Sequence, residues 1–152
     1  MTRLTSWLTA LTLSLAFGPV LAEEAQTERA EMAALETAAQ HAGLAARAAT
    51  VEETHQHLQH TLNCLVGPDD EAYNEQAGNP CEAQGGSVIQ GFESSEATVD
   101  EAIPEVLEQA KELAEAGTEQ QRYIGATAAA HGVSGLLESL QQEVRDAQRA
   151  QQ

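Results

Sequence analysis

After Ala22 the chain is written almost throughout in strong helix formers, and one stretch breaks the pattern, residues 67–97, "GPDDEAYNEQAGNPCEAQGGSVIQGFESSEA". Over 24–49, Ala, Glu, Gln and Leu dominate without a proline, which favours a continuous helix that tolerates Gly43. The middle stretch is rich in Gly, Asn, Asp and Ser and holds no sustained period, so it reads as a loop. A loop of that length in a small domain is either functional or tied down. The predicted fold is all-α: an antiparallel four-helix bundle of two αα-hairpins, with this long loop in the middle.

The helix limits follow from local signals. "TVEE" offers Thr50 as an N-cap and Glu53 as its capping-box partner, so a second helix opens at Val51 and ends before Gly67 and Pro68. Its stripe is Val51, Leu58, Leu62 and Leu65. A third stripe, Val99, Ile103, Val106, Ala110 and Leu113, stops at Gly117, and Pro104 places its regular start near Ile103. From Thr118 a last helix carries Val133, Leu137, Leu140, Val144 and Ala147, with Gly132 and Gly135 permitting a close crossing. The expected helices are about 24–49, 51–66, 103–116 and 119–149.

Residues 1–22 read differently. One basic residue, Arg3, precedes an apolar, uncharged run, and Val20 and Ala22 stand where a cleavage site needs small residues. This pattern predicts a secretory signal peptide at 1–22, a single helical domain at 23–152, and a periplasmic or secreted product with no membrane-spanning segment once the leader is removed. All 24 acidic residues lie beyond Ala22 against six basic ones, a formal charge of −18 with histidine neutral. Such a chain repels nucleic acid and anionic membrane surfaces, and the same acidity keeps a protein soluble in a saline medium. In an oxidising compartment Cys64 and Cys81 are expected to pair as a disulfide, closing the loop onto the second helix.

Chemistry concentrates in "THQHLQHTLNC", residues 54–64. At about 100° per residue, with Val51 at zero, His55 falls at about 40° within the apolar stripe, while Glu53, His57, His60 and Cys64 fall between about 180° and 240°, on an outward ridge. His57 and His60, three apart, can share one cation, and Glu53 stands four residues before His57. Two imidazoles and a carboxylate suit Cu, Zn or Ni, with Asp69, Asp70, Glu71 and Glu75 of the loop available to complete a shell. His55 is expected to be a hydrogen-bonded core or interface residue, and His41 and His131, each set among alanines, to be structural. The competing reading is a structural or protein-interaction module without metal. A more distant one is haem, because Met32 on the first helix and His131 on the last are similar in arrangement to the ligands of four-helix b-type cytochromes. The chain has no G-x-S-x-G, no H-E-x-x-H and no phosphate-binding Gly-rich loop after a strand, so no enzymatic activity is expected.

"HAGLAARA", "HQHLQHTLNCLVGP" and "GNPC" together resemble a set of small exported bacterial proteins that share an H-x-H, N-C-L-V-G-P and G-N-P-C pattern and have no established activity. The resemblance covers about residues 39–86. It implies that the histidine helix and its cysteine-bounded loop form one unit. Relatives tend to carry a further histidine where Gln59 stands, a departure that counts against a histidine-rich site here.

Overall fold

The structure is a computed structural model that describes residues 18–94 and 102–150. Most of the expected leader, 1–17, and the Val99 position lie outside the described residues. Five α-helices and no strand are present among those described: α1 Gly18–Arg47, α2 Val51–Val66, α3 Val88–Ser94, α4 Ala102–Thr118 and α5 Tyr123–Ala150. None of these helices is long and apolar enough to cross a membrane.

Helix α1 packs on α2 and α5, and α4 packs on α5 and α2. Three contacts set the register of α1 against α5. Tyr123 donates its hydroxyl to the Ala48 carbonyl at 2.7 Å, a Cβ on Gly43 would lie 3.6 Å from Ser134 Oγ, and Gln141 donates to the Leu35 carbonyl at 3.2 Å. As the α1 number falls the α5 number rises, so the two helices run antiparallel.

The core is made largely of alanine and leucine. Ala34, Leu35, Ala38, Ala42 and Ala45 of α1 meet Leu58, Leu62 and Leu65 of α2, with Leu107, Ala110 and Ala114 of α4 and Ala130, Val133, Leu137 and Leu140 of α5. Small side chains let helix backbones approach closely, so contact area stands in for side-chain bulk. The expected α4 stripe holds in part: Ile103 and Ala110 are buried, but Leu107 and Ala114 are fully buried beside them, whereas Val106 and Leu113 are only partly covered. Ala147 is exposed, because the last turns of α5 run past the core.

Two expected glycine roles change. Gly117 does not stop α4 but lies within its last turn, where an added Cβ would meet Leu58 Cδ1 at 2.7 Å and Ala129 Cβ at 2.9 Å. Gly132 does mark a close crossing, with Leu113 Cδ2 2.5 Å from the Cβ position, whereas Gly135 has nothing within 4 Å. Gly135→Ala therefore adds helix propensity without a clash and is expected to stabilise by about 0.5–1 kcal/mol. Gly117→Val meets a rigid backbone-anchored methyl and is expected to destabilise by about 1–3 kcal/mol. Thermal melts of the two variants should move Tm in opposite directions.

The loop is shorter than expected, since α3 lies inside it, burying Val88, Ile89 and Phe92 against α1, α2 and α4. The last helix also begins later, because 119–122 form the turn between α4 and α5. A Cys64–Cys81 disulfide with a Cα–Cα distance of 5.2 Å joins the loop to α2.

Candidate metal centre

The site begins at the turn between α1 and α2. Thr50 adopts an extended conformation and its hydroxyl accepts from Glu53 N at 3.1 Å, while Glu53 Oε2 accepts from Ala49 N at 3.0 Å. These reciprocal caps satisfy donors that a helix start would otherwise leave bare, and they make the reversal abrupt. Folding the chain back about Ala49 places residue 41 of α1 opposite residue 57 of α2. His41 therefore arrives beside His57, with His60 one turn further along.

The three imidazoles converge through the same ring atom. His41 Nδ1 lies 3.3 Å from His57 Nδ1 and 3.3 Å from His60 Nδ1. The ring centroids are 4.8 to 5.9 Å apart, and the three residues form a group whose ligand atoms all lie within 4.8 Å of one another. With metal–nitrogen bonds of about 2.0–2.1 Å in tetrahedral geometry, adjacent ligand nitrogens stand about 3.3–3.4 Å apart. The two separations from His41 match that edge. Three histidines are therefore close enough to hold one metal ion, and His41, expected to be structural, is the member that joins the other two.

The loop fixes one ring. His60 Nε2 donates to the Ala77 carbonyl at 2.9 Å, which in the neutral imidazole leaves Nδ1 as the lone-pair atom facing the cluster. Ala77 is held by its neighbours through Asn63, a fully buried side chain on α2. Asn63 Nδ2 donates to the Asn74 and Gly78 carbonyls at 2.7 Å each, and Oδ1 accepts from Asn74 N at 2.9 Å and from Gln59 Nε2 at 3.1 Å. All the amide's polar capacity is used, as burial demands. Gln59 also donates to the Ala72 carbonyl at 2.9 Å, so at this position an amide serves to clamp the loop.

Of the ridge expected to face outward, only Glu53 is exposed. Cys64 is fully buried, and His57 and His60 are half-buried beneath α1 and the loop. The helical wheel identified the apolar face correctly, but α2 buries a second, polar face whose hydrogen bonds the loop and α1 satisfy; Thr61, for instance, donates to the Ala38 carbonyl at 3.3 Å. His55 stands apart from the cluster, donating from Nε2 to the Gln120 carbonyl at 2.9 Å in the α4–α5 turn. That is the interface role expected of it.

The carboxylates are placed elsewhere. Glu53 is committed to the Ala49 cap and reaches the site only as a charge that raises the His57 pKa. Asp70 pairs with Lys111, the chain's one lysine, at 2.8 Å and also accepts from Ala72 N, which together hold its carboxyl below the usual range. Neither Glu53 nor Asp69, Asp70, Glu71 or Glu75 belongs to the three-residue group. The haem pair is not brought together either. On the register above, Met32 and His131 lie about 20 Å apart along the helix axis at 1.5 Å per residue, Met32 packed on the core and His131 exposed. One iron cannot reach both.

Electrostatics disfavour protonation of His41 and His57. Burial, followed by the neighbouring His60 and His57, lowers the His41 pKa from 6.5 to about 4. Burial also lowers His57, with His60 adding to the effect and Glu53 opposing it. Between pH 6.5 and 4 the unfolded chain then binds a proton at His41 that the folded chain does not, so this group's contribution to stability falls as pH falls through that window. Because the ring is partly solvated, screening reduces the loss to about 1 kcal/mol. Urea melts of the metal-free protein at pH 7 and pH 4.5 should show it as a smaller acid destabilisation in His41→Gln than in the parent. Identical pH dependence in the two proteins would remove His41 as its source.

The sequence signal that finds His41 is the hairpin itself. Helix phase among alanines is uninformative, but reflection about the turn at 48–50 pairs position 41 with position 57. No protein-family model matches the chain, and searches of curated proteins and of solved structures find no match.

Proposed function

We propose that this is an exported, non-catalytic metal-binding protein in which His41, His57 and His60 hold one transition-metal ion, presented by an antiparallel four-helix bundle of two αα-hairpins. The observation that carries the reading is the convergence of the three rings, with His41 Nδ1 at the spacing of a tetrahedral edge from both His57 Nδ1 and His60 Nδ1. The three imidazoles are half-buried, and burial lowers the basicity of His41 and His57, which favours their lone pairs over protons at neutral pH. The Ala77 carbonyl on His60 supplies the outer hydrogen bond that metal-bound histidines commonly have. Imidazole donors suit zinc, copper(II) and nickel, and copper(II) is expected to bind most tightly of the three.

Export is supported by the leader-like composition of 1–22 and by the disulfide, which oxidising compartments favour. The hydrogen bonds from Gln59 and Asn63 to the loop agree with a histidine helix and cysteine-bounded loop acting as one unit.

Calorimetric titration of the oxidised, tag-free protein with Zn(II), Cu(II) and Ni(II) tests the reading. One ion per chain is expected, with binding abolished when His57→Ala and His60→Ala are combined. Binding of unchanged affinity in that double variant would place the metal elsewhere. No binding by the parent protein would favour the interaction-module alternative, in which the histidines serve only local hydrogen bonds.

A further inference from the structure

Resting on the metal reading above, we propose that the ion held by His41, His57 and His60 keeps one coordination position open and takes a small exogenous anion there, forming a ternary complex of protein, metal and anion.

Among the described residues the group contains three ligating side chains and no fourth His, Cys, Asp or Glu. Other donors have other commitments. Glu53 Oε2 accepts from Ala49 N, and both cysteines are in the disulfide. On α1, one turn before His41, Thr37 donates to its own helix at Ala33 and contacts Gln84 at 3.2 Å. A sealed structural site fills all four tetrahedral positions with protein donors, whereas a three-donor set leaves one for solvent or an added ligand.

Two further properties favour an anion at that position. The donors are neutral imidazoles, so a divalent ion keeps its full charge within the site. The three rings are half-buried, so the cluster is not closed off from solvent. The acidic chain around the site opposes anions at long range, but that repulsion is screened by salt over about 8–10 Å, while a metal bond acts at contact.

The test uses the full oxidised chain loaded with Co(II), whose visible absorption reports its coordination, titrated with azide at neutral pH. The expected result is a saturable spectral change with one azide per cobalt, cobalt remaining bound after dialysis. The same titration of His55→Ala, a histidine outside the cluster, should be unchanged. Cobalt bound in a His41-dependent manner with a spectrum indifferent to excess azide would overturn the open position while leaving the metal site intact. Failure of cobalt, zinc and copper alike to bind would overturn both readings, which makes the two failures distinguishable.

Discussion

His41→Ala is expected to weaken metal binding at pH 7 by more than about 100-fold while leaving the helices folded. Loss of an outer hydrogen-bond partner alone costs metal sites about 10–100-fold, and His41 is an inner donor, central to both 3.3 Å contacts. Truncating a half-buried, uncharged imidazole on the α1 surface leaves the buried face of Ala38, Ala42 and Ala45 untouched, so the fold should survive. His55→Ala and His131→Ala serve as controls. The first loses a hydrogen bond to Gln120, the second an exposed ring, and neither should change affinity by more than a few-fold. Equal losses in all three variants would indicate diffuse binding to surface histidines rather than one centre.

The second large effect concerns the loop. Replacing Cys64 and Cys81 together by serine should destabilise the protein by about 3 kcal/mol, because the cross-link closes a loop of 17 residues and restricts the unfolded chain accordingly. Two hydroxyls would also be left at fully buried positions, adding to the loss. The loop should nevertheless stay docked in the folded protein, since Asn63 makes four hydrogen bonds, three of them to Asn74 and Gly78, and Ser87 donates to the Leu65 carbonyl at 2.9 Å. Urea unfolding should thus show a lower midpoint, while metal affinity measured well below that midpoint falls much less than in His41→Ala. Asn63→Ala is expected to reverse the balance, leaving carbonyls at 74 and 78 without their donor and releasing the Ala77 carbonyl that orients His60.

Most of the helical framework was legible because it rests on local signals. Thr50 and Glu53 form the cap their spacing predicts, and Leu58, Leu62 and Leu65 are buried as their periodicity requires. Failures arise where the deciding interaction is remote in sequence. The polar side of α2 reads as solvated on a helical wheel, and only the return of residues 70–78 turns Asn63 and His60 inward. Helix α3 is too short to show a period, although Val88, Ile89 and Phe92 mark its buried side. His57 and His60 were identifiable as a pair three apart, whereas His41 has alanine-rich neighbours on every side and acquires its role only through the hairpin. Of the carboxylates placed by proximity in sequence, Glu53 is instead drawn off by the Ala49 amide and Asp70 by Lys111.

X-ray absorption at the zinc edge of the oxidised, one-to-one loaded protein counts the ligands of the three-histidine centre. Three imidazole nitrogens at about 2.0–2.1 Å with one further light donor are expected, and loss of one imidazole in His41→Ala. A shell dominated by carboxylate oxygen, or an imidazole count that His41→Ala leaves unchanged, would contradict it.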